Sequence, residues 1–128
     1  LLNLTVNGFQ CTQQPHRVDI SGEVLGLPFS PEQIRDSEFD RWLNVETFEN
    51  SAPLVALSVS DTGPGIPTEI LPKVFDPYFT TKAARNGTGL GLSIVLRLVR
   101  GARGLMHVNT KPGTGTTFTI YLPAKLKD

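Results

Sequence analysis

The sequence predicts an α+β domain: a two-layer α/β sandwich in which helices cover one face of a mixed, mostly antiparallel sheet. Hydrophobic periodicity gives the order helix, strand, strand, helix, strand, strand along the chain. The strands are short, and the helices are too few to cover both faces of a doubly wound parallel sheet. With 128 residues, 39% of them hydrophobic and 19% charged, the chain has the size and composition of one folded domain, 1–128.

The first helix is predicted over Leu1–Gln14, where Asn and Gln side chains form one polar stripe and Pro15 ends the pattern. Alternation of apolar and polar residues predicts the strands, with Val55, Leu57 and Val59 on the core side of the second and Phe118, Ile120 and Leu122 on one apolar face of the last. Val18, Ile20 and Val24 share one face of the first, which is expected to be half-buried. The four predicted strands are Arg17–Val24, Leu54–Ser60, Leu105–Asn109 and Thr117–Leu122.

The stretch Gly26–Pro53 is predicted to be an insertion between the first two strands. Ser30, Pro31 and Gln33 provide an N-cap, a first-turn proline and a capping-box side chain, so a short helix to about Leu43 is expected. Six acidic and two basic residues give the stretch a net charge of −4. We favour a solvated surface elaboration over the alternative, a partner-binding face.

A second helix is predicted over Thr88–Arg100. Its polar stripe is narrow, consisting of Ser93, Arg97 and Arg100, and most other positions are apolar. A helix with so much apolar surface is expected to lie largely in the core.

Glycines cluster in three segments, which indicates a phosphate-binding protein. One segment follows a strand, one precedes a helix and one opens a strand: Asp61–Pro67, Gly87–Leu92 and Gly113–Thr117. Glycines before a helix bring unpaired N–H groups and the positive end of the helix dipole together, which suits a triphosphate. The P-loop, Rossmann and protein-kinase patterns are absent, and tight-turn use of glycine is the alternative for any one cluster.

Asn3 and Asn7 lie one helical turn apart on the polar stripe of the first helix. Asparagine is a poor helix former, and a merely solvated face more often carries Glu, Lys or Gln. Its carbonyl oxygen is a hard ligand that suits Mg²⁺ shared with phosphates. We therefore interpret Asn7 as a metal ligand, with a simple polar helix face as the alternative.

Five ordered segments resemble the motifs of the catalytic and ATP-binding domain of bacterial sensor histidine kinases, in the wider family that includes gyrase, Hsp90 and MutL. The F box and the short stretch after it look most like the nitrogen-regulation type. The resemblance implies a Bergerat-type ATP-binding fold with ATP and Mg²⁺ as cofactors. The segments are Asn3–Asn7 (N box), Asp61–Gly65 (G1 box), Val74–Lys82 (F box), Gly87–Ser93 (G2 box) and Gly113–Phe118 (the closing motif).

The resemblance also implies roles for residues that match the motifs. Asp61 would accept a hydrogen bond from the adenine amino group, Gly65 would allow close approach to the ring, and Thr116 would fix Asp61 and a water. Asn7 would hold Mg²⁺ beside Asn3, and Thr81–Gly87 would form a lid from which Lys82 reaches the phosphates. The predicted catalytic residues are Asn3, Asn7 and Lys82; the predicted nucleotide-binding residues are Asn7, Asp61, Gly63, Gly65, Ile66, Phe79, Thr80, Thr81, Lys82, Gly87, Thr88, Gly89, Leu90, Gly91, Leu92 and Thr116.

Two hypotheses for the reaction, transfer to a histidine and ATP hydrolysis, predict different residues at position 3. A histidine kinase passes the γ-phosphate of ATP to a histidine, whereas ATPase clamps of the gyrase, Hsp90 and MutL type carry there a Glu that activates water. Asn3 cannot take up a proton, which favours the kinase. A degenerate module that only binds nucleotide is the third reading, disfavoured because every binding motif is intact.

Neither His16 nor His107 stands in a phosphoacceptor pattern, so both are expected to be structural or solvated. The resemblance implies that the acceptor lies on a dimerisation helical hairpin, expected with the sensor domains before Leu1, and that the phosphate passes to a response regulator receiver domain. The parent is expected to be a homodimeric kinase, with this domain cytoplasmic and without direct membrane contact. Twelve basic and twelve acidic residues argue against a nucleic-acid partner.

Overall fold

The computed structural model describes residues 4, 15–75 and 91–124. Five strands form one sheet, β1 (Val18–Leu25), β2 (Asp40–Leu43), β3 (Leu54–Asp61), β4 (Leu105–Lys111) and β5 (Gly115–Pro123), with a helix α1 (Gly91–Gly101) and 3-10 turns at Pro31–Gln33 and Leu71–Lys73. The strand order is β1-β3-β5-β4-β2, and each of these pairings is antiparallel. The predicted α+β architecture is confirmed, and the described sheet is antiparallel throughout rather than mixed.

The front face of the sheet carries the core. Every second side chain of the central strands points to this face, and the pairing register puts Val59, Phe118 and Val108 side by side across β3, β5 and β4. Val95 and Val99 of α1 belong to the same buried cluster, as do Leu71 and the helical residue Leu4. The predicted core side of β3 and β5 is therefore correct.

α1 is more amphipathic than its sequence suggests. Val95, Leu96 and Val99 are buried, but Leu98 is 66% exposed. The expectation that this helix lies largely in the core is wrong for Leu98, because α1 packs on one layer of sheet and its opposite side faces solvent. Gly104 N–H bonds to the Val99 carbonyl just after the helix, where Arg103 adopts a left-handed conformation at φ 57°.

β1 forms as predicted, but it is less buried than expected. Ile20 is 53% exposed and Val24 is 70% exposed, although both lie on the front face opposite Val59 and Val55. β1 is one of the two edge strands of the described sheet and has a neighbour on one side only, so alternation indicated its orientation correctly and its burial wrongly. Among the described residues, no helix has the length and apolar character that a membrane crossing requires.

The predicted helix from Ser30 to about Leu43 is wrong. Its capping box forms, with Gln33 Oε1 2.7 Å from the Ser30 N–H, but the helical stretch is one 3-10 turn. The chain then becomes β2, which pairs with β4 and places Trp42 opposite His107. Trp42 is a strand former, and its indole N–H donates to the Arg35 carbonyl at 2.9 Å, so side-chain packing outweighs the capping signal.

The segment 26–53 supplies a second, aromatic layer on the back face of the sheet. The Phe29 ring meets Tyr121 edge-on at 4.8 Å between centroids, and Trp42 stacks on His107 at 4.1 Å. Asn50 fixes this layer by bonding both the N–H and the carbonyl of Phe29, each at 2.8 Å. Burial raises the pKa of Tyr121, with a smaller contribution from the charge of Glu23.

Asp40 anchors the edge strand β2 to its neighbour. It accepts hydrogen bonds from Ser37 Oγ at 2.5 Å, His107 Nε2 at 2.7 Å and Asn109 Nδ2 at 2.8 Å. These donors, Ser37 foremost, hold the pKa of the carboxyl below its ordinary value of 3.8 against the opposing effect of burial. His107 therefore has a structural environment, as its sequence context predicted.

We expect Asp40→Asn to lower the free energy of unfolding at neutral pH by about 1 kcal/mol, since the site is partly exposed. A lowered folded-state pKa stabilises the fold above the ordinary value of 3.8, and this contribution disappears as the pH falls through the folded-state pKa. Urea unfolding is measured between about pH 7 and about pH 2. The free energies of unfolding of the wild type and of Asp40→Asn should differ at neutral pH and become equal in acid. Asp19→Asn, at an exposed ion pair with Arg17, is the control and should change little. A difference independent of pH would contradict the assignment.

Candidate functional site

The front face ends in a row of polar side chains at the point where β3 leaves the sheet. Asp61 of β3 pairs with Thr116 of β5, and Thr116 pairs in turn with Thr110 of β4. Directly opposed residues in antiparallel strands point to the same face, so these three side chains form one polar row beside an apolar core. All three are buried.

The loop after β3 fixes the Asp61 carboxylate. Gly63 N–H donates to Asp61 Oδ1 at 2.9 Å, a local turn that sets the orientation of the carboxylate plane. Thr62 holds the loop to the residue that precedes β1: its N–H donates to the Arg17 carbonyl at 2.9 Å, and Arg17 N–H donates to Thr62 Oγ1 at 2.7 Å. A strong acceptor is thereby held in one position on the front face.

The same loop is bound to the β4–β5 hairpin. Gly113 N–H donates to the Pro64 carbonyl at 2.8 Å, and Ile66 N–H donates to Thr110 Oγ1 at 2.8 Å. Gly65 has a φ of 77°, and a Cβ there would lie 2.5 Å from the Lys111 carbonyl oxygen. Only glycine allows this approach, so a close packing of loop on hairpin accounts for Gly65. Its predicted approach to an adenine ring stays a prediction.

Gly115 permits the contact between β5 and the start of the loop. Its φ is 141°, and a Cβ at this position would lie 2.0 Å from the Asp61 carbonyl oxygen. Gly113, in the same hairpin, has a φ of 82° but open space where its Cβ would be. Of these two glycines, Gly115 is therefore the one that allows the close approach of β5 to Asp61, where Asp61 and Thr116 pair.

Thr110 is a site residue that the sequence analysis missed. Its hydroxyl lies 2.8 Å from Thr116 Oγ1 and 3.5 Å from the Gly115 carbonyl, in addition to the bond from Ile66. The signal was present in the alternation of β4, where Met106, Val108 and Thr110 share the front face. A threonine that continues an apolar series inward is a buried polar group that needs partners.

The structure brings together part of the predicted site. Five predicted residues lie in or under the loop and hairpin described above: Asp61, Gly63, Gly65, Ile66 and Thr116. Gly91 and Leu92 begin α1, and Leu92 packs against the core. The described residues contain no group of three or more His, Cys, Asp or Glu side chains suited to a metal ion. The remaining predicted residues lie outside the described part of the chain: Asn3, Asn7, Phe79, Thr80, Thr81, Lys82, Gly87, Thr88, Gly89 and Leu90.

The donor and acceptor pattern of the polar row fits an exocyclic amino group. The Asp61 carboxylate accepts hydrogen bonds only, and the Thr116 hydroxyl beside it can both donate and accept. An amino-substituted heterocycle has a matching edge, since its –NH₂ donates and the adjacent ring nitrogen accepts. Because the row is buried, a ligand edge that does not match it would give up hydrogen bonds to water without replacing them.

Comparison with known proteins identifies the family. The family model described as "Histidine kinase-, DNA gyrase B-, and HSP90-like ATPase" matches residues 1–126. The sensor kinase CckA of Brucella abortus is 44% identical over 77 residues, which are 60% of this chain and 8% of CckA. The histidine-protein kinase AtoS of Escherichia coli is 42% identical over 81 residues, 63% of this chain and 13% of AtoS. The histidine kinase/phosphatase NtrB of Rhizobium meliloti is 42% identical over 66 residues, 52% and 16% of the two chains.

The curated relatives are much longer, so the chain corresponds to a small part of each. Two solved structures share the fold. The mycobacterial sensor histidine kinase MprB superposes with a TM-score of 0.65 at 23% identity, covering 98% of this chain and 68% of that one. The catalytic domain of histidine kinase ThkA gives a TM-score of 0.61 at 26% identity, covering 95% and 63%. Together with the family match over nearly its whole length, this similarity assigns the chain to the histidine kinase-, DNA gyrase B- and HSP90-like ATPase family, as an ATP-binding catalytic domain of the histidine kinase type.

Proposed function

We propose that this domain binds ATP·Mg²⁺ and donates the γ-phosphate to a histidine on a separate helical hairpin of the same sensor kinase. The observation that carries the proposal is the buried pair of Asp61 and Thr116, held by a loop that is bound both to Arg17, just before β1, and to the β4–β5 hairpin. An acceptor fixed in this way suits the amino group of adenine. The kinase relatives support the reaction class, since their names state it.

The reaction transfers one phosphoryl group. The bond between the γ-phosphorus and the bridging oxygen breaks, a bond from phosphorus to a nitrogen of the acceptor imidazole forms, and ADP leaves with the electron pair. Such transfers depend mainly on alignment and on neutralisation of charge. The site on the sheet contributes alignment, because it fixes the base at one end of the nucleotide.

Asn7 is the proposed Mg²⁺ ligand, and the ion would supply neutralisation of phosphate charge. Asn3 is proposed to lie near the phosphates as a side chain that cannot activate water, which favours transfer over hydrolysis. Lys82 and the N–H groups of Thr88–Leu92 are proposed phosphate donors. We further propose that the parent is a homodimer in the cytoplasm and that its phosphohistidine is read by a response regulator receiver domain.

The test uses this chain together with the helical hairpin of its own kinase. Incubation with ATP labelled at the γ-phosphate and Mg²⁺ should label the hairpin histidine, with little label on this chain and little free phosphate. Neither His16 nor His107 should be labelled, because neither stands in an acceptor context. Rapid phosphate release by this chain alone would instead indicate an ATPase of the clamp type, and binding without either product would indicate a degenerate module.

Asn3→Glu is the matched variant for the choice between transfer and hydrolysis. If position 3 faces the γ-phosphate, a carboxylate there should raise phosphate release while ATP affinity changes little. Gln10→Glu places the same charge on the same predicted polar stripe and serves as the control. An equal response of the two variants would place position 3 away from the reacting phosphate.

A further inference from the structure

Thr110 lies at the β4 end of the polar row and contacts two other segments, the loop after β3 and strand β5. It is 1% exposed, so its hydroxyl has no access to solvent and depends on protein partners. Those partners are Ile66 of the loop after β3, Thr116 of β5, and the Gly115 carbonyl at the start of β5. The residue therefore joins the loop that orients Asp61 to the strand that carries Thr116.

The proton count of this hydroxyl limits what Thr116 can do. A threonine hydroxyl has one proton to donate and two lone pairs to accept with. The Ile66 N–H takes one lone pair at 2.8 Å, and the Gly115 carbonyl, which can only accept, is 3.5 Å away, at the limit of a hydrogen bond. The shorter contact, 2.8 Å to Thr116 Oγ1, is the better place for the Thr110 proton.

When Thr110 donates to Thr116, the Thr116 hydroxyl keeps its own proton for a ligand. The row then presents a donor at Thr116 beside an acceptor at Asp61. Adenine has the complementary edge, with an amino donor next to the acceptor nitrogen N1. Guanine has the reverse, a carbonyl oxygen next to an N–H, and would set acceptor against acceptor and donor against donor.

We propose that Thr110 is a positioning residue for base selection: its hydroxyl holds Thr116 as a donor beside Asp61 and couples that state to the loop through Ile66. It acts through Thr116 and does not itself touch the nucleotide. The proposal rests on the assignment of adenine to the Asp61 site. Removal of the hydroxyl should therefore change the discrimination between bases as well as the affinity.

The test compares Thr110→Val, Thr110→Ser and Thr119→Val in this chain. Valine keeps the shape and removes the hydroxyl, whereas serine keeps the hydroxyl. Thr119 is the matched control, because it is also buried and its hydroxyl lies 2.9 Å from Ser58 Oγ on the back face of the sheet. Affinities for ATP and GTP are measured by competition against a fluorescent ATP analogue, with circular dichroism as the check on folding.

We expect Thr110→Val to weaken ATP binding about tenfold and to lower the ratio of ATP to GTP affinity by a similar factor. Thr110→Ser should restore the ratio, and Thr119→Val should leave it at the wild-type value. An unchanged ratio in Thr110→Val, or no rescue by serine, would overturn the proposal. If Thr110→Val does not fold, Thr116→Val decides: it should lose the same discrimination, and a wild-type ratio would equally refute the role of Thr110.

The test of Thr110 and the test of the proposed kinase function can fail independently of each other. If the wild-type chain binds ATP but transfers no phosphate to the hairpin, the kinase proposal fails and the selectivity measurements still decide the role of Thr110. If the kinase reaction proceeds and Thr110→Val behaves like Thr119→Val, the inference about Thr110 fails alone.

Discussion

Asp61→Asn should lower the affinity for ATP by about 10- to 100-fold, the loss expected for a charge-assisted hydrogen bond. The hydrogen bond from Gly63 increases the expected loss, because it fixes the orientation of an amide at position 61. Gly63 N–H donates to Asp61 Oδ1, so an amide here must turn its oxygen toward Gly63 and its –NH₂ to where the second carboxylate oxygen lies. Two amino groups, that of the amide and that of adenine, would then face each other. Isothermal titration with ATP measures the effect.

Asp40→Asn is the matched control for this measurement. It also removes a hydrogen-bonded carboxylate, but one on the back face of the sheet, bonded to His107 and Asn109. Its ATP affinity should equal that of the wild type at a temperature where both proteins are folded. Unchanged affinity in Asp61→Asn would remove this residue from the nucleotide site.

Gly115→Ala should abolish ATP binding and destabilise the fold by about 3 kcal/mol or more. A Cβ there would lie 2.0 Å from the Asp61 carbonyl oxygen, and φ of 141° is strained for any L side chain. The backbone cannot move away without separating β5 from β3 at the pair that forms the site. Thermal unfolding and ATP titration of the same variant measure both effects.

Gly113→Ala separates the two contributions to this loss. Gly113 also has a positive φ, 82°, but a Cβ there would meet nothing within 4 Å. Its replacement should cost only the conformational strain, about 1–2 kcal/mol, and leave ATP binding largely intact once the protein is folded. Similar losses in the two variants would mean that strain in the hairpin, and not the approach to Asp61, sets the requirement for Gly115.

Much of the fold could be predicted because it depends on local pattern. The four strands with clear alternation lie within two residues of their expected bounds, and Phe118 and Ile120 face the core as expected. β2 was missed because its four residues carry no alternation and become a strand through contacts with β4 that are remote in sequence. The exposure of Ile20 and Val24 likewise depends on strand order, which periodicity does not contain.

Glycine and charge in the sequence mark the loop and hairpin that hold Asp61 and Gly65, and the roles of these two residues toward a nucleotide stay predictions. Thr110 escaped because a threonine in a strand is ordinary, and its importance follows only from register, which sets it opposite Thr116. The net charge of segment 26–53 predicts a solvated surface, whereas its aromatic residues Phe29 and Trp42 line the back face of the sheet. Contacts between strands that are distant in sequence thus determine features that the local pattern does not predict: the formation of β2, the burial of β1 and the partners of Thr110.

Trp42 gives the molecule a built-in optical probe whose position is favourable. It is the single tryptophan of the chain, and it stacks on His107 on the face of the sheet opposite Asp61. A nucleotide at the polar row cannot quench its emission directly, because the sheet separates the two. The fluorescence of Trp42 therefore reports the unfolding of edge strand β2. The midpoint of thermal unfolding, followed by this signal, should rise with ATP concentration, and the size of the rise gives the affinity for ATP. The same sample yields the folding and the binding free energies without an added dye.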